Sequence, residues 1–384
     1  MDIDWGQTLA GCVDFTQRLI QTPSMPGDEL AIGYLVADEL RRLGYDEVWH
    51  DAIGNVFGRV YGRDRNLPTL VLNTHLDHVD PGDLSLWPVP PYRGVIRDGR
   101  ILGRGACDIK GPLAVQVYSP AALLAAEERP HRDIVFCGVV QEEVGGAGAR
   151  YWVERLDYPV EVVVIGEPSA NQLALGHRGI VQVWLTFHGR SVHASAPERG
   201  ENPNYALAAF LSRLEKAQSE LKHHPYLGPT SIAPTIVQVD TTSGNVTPGW
   251  TRVLLDIRTA TESIVSLYDL ITDLVGNHSF DMDYGDSLDK VIADSAEIIT
   301  GFYTSPDNPI VRQMAALIGD GMGRVPGTTR YRFATDGRHF APHGLLVVGF
   351  GPGEEELAHT VHESIAIDQI DESLRGHIRL LREF

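Results

Sequence analysis

The chain has 384 residues, more than a single hydrophobic core usually supports, so we expect two domains. Its formal net charge of −19 argues against a nucleic-acid partner, which requires a basic face, and no run approaches the roughly twenty apolar residues of a membrane span. The acidic start, MDIDWG, is unlike a secretion signal, and an odd number of cysteines (Cys12, Cys107 and Cys137) favours a reducing compartment. We therefore expect a cytoplasmic protein with neither nucleic acid nor a membrane as partner.

Short apolar runs alternate with longer amphipathic segments over most of the chain. The apolar runs are rich in Val, Ile and Leu and predict buried strands at 69–73, 133–140, 160–166 and 344–350. The amphipathic segments have helical spacing and predict helices at 26–44, 111–128, 145–156, 305–319 and 366–383. This alternation predicts an α/β domain with a mixed central sheet flanked by helices.

The middle of the chain has a different pattern. From about residue 179 the segments VQVWLTFHG, TIVQVDTT and TRVLLDIRT predict antiparallel strands, with helices at 203–222 and 262–275 between them. This β-α-β-β-α-β-like order is typical of a small ferredoxin-like α+β domain. We therefore predict an inserted domain over 179–292 and a larger domain formed by 1–178 and 293–384.

Side chains that bind metals follow several of the predicted strands. Ligands of open α/β sheets bind outside the carboxyl ends of the strands, where such side chains would meet. One His or carboxylate there is more often a helix cap or a solvated turn, but a metal site explains five such places together. The candidates are His75 and Asp77, Asp108, Glu142 and Glu143, Glu167, and His359, His362 and Glu363.

The chemistry of these residue types favours a pair of metal ions. Two His and three carboxylates suit zinc, with cobalt or manganese as alternatives. The surplus of carboxylates favours two ions about 3.5–4 Å apart, with one carboxylate bridging them and a hydroxide held between them. Successive side chains of an extended segment point opposite ways, so Glu143 can bind metal while Glu142 takes a proton from the bridging water. Asp77 can accept the imidazole N–H of His75.

Several motifs in this order resemble the M20 family of metallopeptidases and deacylases. The family includes acetylornithine deacetylase, succinyl-diaminopimelate desuccinylase, aminoacylase-1 and glutamate carboxypeptidase. The resemblance covers nearly the whole chain. The motifs that carry it are NTHLDHVDPG, ILGRGACDIKGPLA, VVQEEVGG, IGEPS, GRSVHASAPERGENP, VLLDIRT, ATDGRHF and GPGEEELAHTVHES.

The resemblance implies a zinc-exopeptidase-like catalytic domain and a set of metal ligands. His75 and Glu167 would hold one metal ion and Glu143 and His359 the other, with Asp108 bridging the two. It also implies a cis peptide bond between Asp108 and Ile109.

Two further catalytic roles follow from the resemblance. Glu142 would be the general base and later the general acid, and Asp77 would orient His75. In the last motif, His362 stands where the family usually has Asn or Asp. The spacing favours His359 over His362 as the ligand.

The resemblance also implies that 179–292 is a lid and dimerisation domain. His193 resembles the histidine that reaches the neighbouring subunit's site and stabilises the oxyanion. Arg258 resembles an arginine that clamps a substrate carboxylate, and Asn245 a polar contact near it. We therefore expect a homodimer through 179–292.

The motifs together favour an enzyme that cleaves the amide bond of an N-acyl amino acid, as deacetylases and desuccinylases do. The segment ATDGRHF resembles that of the desuccinylases and favours this deacylase. A dipeptidase or carboxypeptidase with the same machinery is the alternative. A catalytically silent metal-binding relative is disfavoured, because Glu142 is present.

Overall fold

The computed structural model of the protein describes residues 2–260, 262, 264–283 and 301–384. These residues form two compact units. The first unit consists of Met1–Gly176, Tyr303–Tyr331 and Thr335–Phe384, and the second of His177–Phe302 and Arg332–Ala334. The predicted end of the inserted domain, near residue 292, lies outside the described residues.

Strands occur throughout both units. In chain order they are β1 (Glu47–His50), β2 (Val56–Val60), β3 (Thr69–His75), β4 (Val95–Arg97), β5 (Arg100–Leu102), β6 (Ile134–Val139), β7 (Val160–Ile165), β8 (Leu173–Ala174), β9 (Gly176–His177), β10 (Gly179–His188), β11 (His223–His224), β12 (Gly228–Pro229), β13 (Ser231–Val239), β14 (Trp250–Thr259), β15 (Phe280–Asp283), β16 (Phe302–Tyr303), β17 (Thr328–Thr329), β18 (Leu346–Gly349) and β19 (Ser364–Ala366).

The helices of the described residues are α1 (Trp5–Ile20), α2 (Leu30–Arg42), α3 (Gly111–Ala125), α4 (Ala147–Val153), α5 (Pro203–Ala217), α6 (Ile264–Val275), α7 (Pro309–Met322), α8 (Gly337–Phe340) and α9 (Ile367–Glu383). Within this part of the chain, no helix has both the length and the apolar character needed to cross a membrane.

The first unit is built on an eight-stranded sheet in the order β1-β2-β6-β3-β7-β18-β8-β17. Its four central neighbours, β6, β3, β7 and β18, run parallel, while β1 and β2 form an antiparallel pair at one edge. Every residue of β3 and β6 is buried, as expected for parallel strands with covered faces. A small antiparallel sheet, β19-β5-β4, accompanies it.

Helices cover this sheet because their apolar residues need a partner surface. Helix α3 is buried along nearly its whole length, so it is a core helix and not an amphipathic one. It packs against α1 and α9, and α9 packs against α7. The predicted α/β fold with a mixed central sheet flanked by helices is thus confirmed.

The second unit contains a four-stranded antiparallel sheet in the order β13-β14-β10-β15. Along β10 and β14 buried residues alternate with more exposed ones, as expected for strands with one covered face. The buried side chains of the sheet and of helices α5 and α6 form one hydrophobic core; among its members are Val183, Phe187, Phe210, Leu255 and Ile271.

The sequence did not predict the edge pair β1 and β2 or the small sheet formed by β4, β5 and β19. These strands have only three to five residues, and all except β19 include a charged side chain, so they lack the long apolar runs of the central strands. Their backbone pairing depends on partners elsewhere in the chain, such as β19 with β5.

Candidate metal centre

The carboxyl ends of the central parallel strands bring the predicted side chains to one edge of the sheet. His75 is the last residue of β3, Glu142 and Glu143 follow β6, and Glu167 follows β7. His359 lies in the loop after β18, with a positive φ of 62°. Parallel neighbours end on the same side, so these loops meet although they are far apart in sequence.

Asp108 reaches the same place from an irregular turn just before α3. The turn covers Ala106–Lys110, and the peptide bond between Asp108 and Ile109 is cis, which confirms the expectation from the family resemblance.

The side chains form two groups that share one carboxylate. In the first, His75 Nε2 lies 3.1 Å from Asp108 Oδ1 and 3.5 Å from Glu167 Oε1. In the second, His359 Nε2 lies 3.1 Å from both Asp108 Oδ2 and Glu143 Oε1. Within each group the possible ligand atoms all lie within 4.8 Å of one another. Asp108 therefore offers one oxygen to each group.

The chemistry of the cluster fits divalent cations. Glu167 is 3% exposed, and its Oε2 atom is buried with no hydrogen-bond partner among the described residues. A buried carboxylate oxygen without a partner is costly, and a cation would satisfy it. Imidazole and carboxylate together are donors that suit zinc and similar ions.

Electrostatics leads to the same conclusion. Burial alone would lower the pKa of His75, but Asp108, Asp77 and Glu167 outweigh it and raise that pKa well above its usual value. Hydrogen bonds with Asp108 and Glu143 raise the pKa of His359 to about 10. These carboxylates attract positive charge, whether it is a proton on the imidazole or a metal ion.

Asp77 connects two of the strand ends. It is fully buried, and its Oδ1 lies 3.3 Å from His75 Nδ1. Its two carboxylate oxygens also accept the backbone N–H groups of Glu142, at 3.2 Å, and Glu143, at 3.1 Å. His75 Nδ1 also lies 3.0 Å from the backbone oxygen of Asp77, so the contact predicted with the carboxylate is accompanied by a shorter one with the backbone. The two backbone N–H contacts were not predicted, and they hold the loop that carries both glutamates.

Glu142 is buried beside the cluster without belonging to either ligand group. Burial and the charge of Asp336 raise the pKa of Glu142 well above its usual value, while the positive charges of His75 and Arg338 oppose that rise. A raised pKa makes a carboxylate a better proton acceptor, which is what a general base requires.

Sequence reasoning missed the role of Glu363. Its carboxylate accepts hydrogen bonds from Arg104 Nη1, at 2.5 Å, and from the backbone N–H groups of Gly105, Cys107 and Asp108, at 3.0, 3.2 and 3.2 Å. Glu363 therefore fixes the turn that presents Asp108. Its position next to the His359 motif suggested a ligand and gave no sign of this contact.

His362 is exposed, and its backbone N–H donates to Thr360 Oγ1 at 3.2 Å. Within the described residues it belongs to neither ligand group, whereas His359 belongs to one.

The predicted residues His193, Asn245 and Arg258 belong to the second unit. His193 is exposed, and its Nδ1 lies 2.7 Å from Ser195 Oγ; the backbone carbonyl of Asn245 accepts the N–H of Ala194 at 2.8 Å. Arg258 Nε donates to Asp256 Oδ1 at 2.7 Å. Within this unit His193 and Asn245 lie on neighbouring segments, and Arg258 is engaged by a carboxylate of its own strand.

Comparison with known proteins identifies the family of the chain. Peptidase family M20/M25/M40 matches residues 71–383, so the chain belongs to that family of amide-hydrolysing enzymes. The uncharacterized protein YgeY of Escherichia coli strain K12 is 27% identical over 361 residues, which are 91% of this chain and 88% of YgeY.

Solved structures share the fold over the full length. Aminopeptidase PepT from Bacillus cereus has a TM-score of 0.80 at 18% identity, with 98% of each chain covered. The YXEP protein of Bacillus subtilis, described as a dinuclear metal binding peptidase from the M20 family, has a TM-score of 0.70 at 12% identity, also with 98% of each chain covered.

Proposed function

We propose that the protein is a two-metal hydrolase that cleaves the amide bond of an N-acyl amino acid. His75 and Glu167 would hold one ion, Glu143 and His359 the other, and Asp108 both. The observation that carries this proposal is that the two oxygens of Asp108 face two separate groups of ligands. The likeness to a dinuclear metal binding peptidase supports it.

The bound ions would polarise the scissile carbonyl and lower the pKa of the water that they bind. The protein's own residues would then move the proton. Glu142, buried and outside both ligand groups, would accept a proton from the attacking water and return it to the leaving nitrogen. Asp77 would keep Glu142 in place by accepting a hydrogen bond from the backbone N–H of Glu142.

Residues of the second unit would act on the substrate. His193 would stabilise the oxyanion in the neighbouring subunit's site, Arg258 would bind the substrate carboxylate, and Asn245 would add a polar contact. Arg258 would have to exchange its partner Asp256 for the substrate, since its Nε already donates to that carboxylate.

A short peptide is the second candidate substrate, because the chain shares its whole fold with an aminopeptidase. The segment ATDGRHF favours the N-acyl amino acid. Zinc suits the donor set best, with cobalt and manganese as alternatives.

The test combines metal analysis with a substrate panel. The zinc-equilibrated protein should contain up to two ions per chain, and Asp108→Ala should lose both. Asp83→Ala, which removes a solvent-exposed loop aspartate, is the matched control and should keep both. N-acetyl and N-succinyl amino acids, dipeptides and tripeptides are then compared by kcat/KM. Full metal content in Asp108→Ala would refute the shared carboxylate, and hydrolysis of peptides alone would select the second candidate.

A further inference from the structure

The segment Asp336–His339 packs directly on the loop that carries Glu142. A Cβ atom at Gly146 would lie 2.7 Å from Asp336 Oδ1 and closer still to His339 Nε2. Gly146, with φ of +72°, closes this loop by donating its N–H to Gln141 O at 2.8 Å. The segment is therefore a wall of the candidate metal centre, although no predicted site residue lies in it.

Arg338 is the cation of this wall. It is half-buried, and its Nε donates to His339 Nε2 at 3.2 Å. Among the described residues, no carboxylate lies within ion-pair distance of its guanidinium. Arginines close to many carboxylates usually pair with one, so this fork of N–H donors is available to a ligand.

Contacts place the guanidinium of Arg338 beside the loop of Glu142. The His339 Nε2 atom that accepts from Arg338 Nε is the same atom that faces Gly146. A positive group near the reacting bond, surrounded by acids that repel anions, is what a substrate carboxylate needs to enter this site.

We propose that Arg338 is a specificity-determining residue that binds a carboxylate of the substrate. This rests on the proposed function and deepens it, because it selects amides that carry a negative charge near the scissile bond. The carboxylate can belong to a dicarboxylic acyl group, such as succinyl, or to the amino-acid half. The guanidinium can bind either through two parallel N–H···O bonds.

The experiment compares Arg338→Met and Arg338→Lys with the wild type, all zinc-equilibrated and full length. Arg155→Met is the matched control, because Arg155 is an exposed arginine of the same unit paired with Glu154. Substrates come in pairs that differ by one carboxylate: N-succinyl against N-acetyl amino acids, and each acid against its amide.

Arg338→Met should raise KM for the charged member of one pair about 10- to 100-fold, the size of a lost charge-assisted hydrogen bond, with little change in kcat. Its KM for the uncharged member should stay near that of the wild type. Arg338→Lys keeps the charge and loses the two parallel N–H donors. Its KM for the charged member should lie between those of the wild type and Arg338→Met. The pair that responds identifies the half of the substrate that Arg338 binds. An equal change for both members of every pair, or no change, would overturn the proposal.

Binding of free succinate, measured by calorimetry, tests Arg338 without any turnover. Arg338→Met should weaken it while Arg155→Met does not, and equal binding by the two variants would refute the role of Arg338. If the wild type hydrolyses no amide in the panel, the proposed function fails, and this measurement still decides the carboxylate site.

Discussion

At the scale of single residues, the site separates ligands from the proton carrier although they are adjacent in sequence. Glu143 lies 3.1 Å from His359, while Glu142 is buried outside both ligand groups. Both backbone N–H groups donate to Asp77, which holds them at a fixed spacing. The two glutamates lie in a turn and not in the extended segment that the sequence suggested, and this turn gives them different surroundings.

Glu142→Gln should therefore lose activity and keep its metals. The amide cannot accept the proton, so kcat should fall on the order of 10²–10⁴-fold. Turnover on the best substrate and metal content by mass spectrometry are the measurements. Glu143→Gln is the contrasting variant and should lose one ion. Wild-type turnover in Glu142→Gln would show that another group moves the proton.

At the scale of elements, one buried carboxylate joins three helices of the first unit. Glu39 of α2 is 2% exposed; Arg18 of α1 lies 2.8 Å from its Oε2, and Arg42 and Tyr118 donate to its Oε1 at 2.5 Å. Tyr118 belongs to α3, which follows the turn that presents Asp108. The packing of these helices therefore supports the base of the candidate site.

The stability conferred by Glu39 should depend on pH. Burial alone would raise the pKa of Glu39, but hydrogen bonds from Arg42, Tyr118 and Arg18 outweigh it and lower that pKa to about 2. Because the unfolded value is about 4.3, the stabilisation is complete above that pH and is lost as the pH falls toward 2.

Glu39→Gln should lower the free energy of unfolding by about 1–3 kcal/mol at pH 7. This difference from the wild type should shrink as the pH falls below about 4. Urea unfolding of both proteins between pH 7 and 3 measures the difference. The exposed pair of Asp38 and Arg41 provides the control, since Asp38→Asn should change little at any pH. A difference that grows as the pH falls would contradict the assigned shift.

At the scale of the whole molecule, the second unit has an edge strand with the features of an interface. Strand β13 lies at the edge of its sheet and is exposed on both faces from Ala233 onward. Ile236, Val237 and Val239 are 45%, 55% and 42% exposed. Long apolar edges are prone to pair with another chain, and we propose a two-fold dimer through this strand.

Val237→Lys should shift the protein toward the monomer, because a charge on an edge strand opposes pairing with a second copy. Analytical ultracentrifugation measures the change. Val325→Lys, at an 84% exposed valine of the first unit, is the control and should leave the assembly as it is. A wild type that is monomeric at every concentration, or a Val237→Lys dimer as tight as the wild type, would refute the interface.

Local patterns were enough to predict much of this protein. The central strands, the α/β class and the candidate ligands all follow from short stretches of sequence. This is possible because a strand or helix that buries one face repeats its apolar residues at a regular spacing. The family motifs added the pairing of ligands, which the structure places in two groups about Asp108.

Only the tertiary structure decided how distant residues support these groups. Asp77 accepts hydrogen bonds from a loop 65 residues further on, and Glu363 from a turn 255 residues before it. Asp336 and His339, which flank Arg338, meet the Glu142 loop through a packing contact at Gly146. Such contacts produce no periodic pattern in the local sequence, because they depend on the path of the chain between the two partners. The sequence by itself therefore determined which residues can do the chemistry, and the fold decided which residues hold them in place.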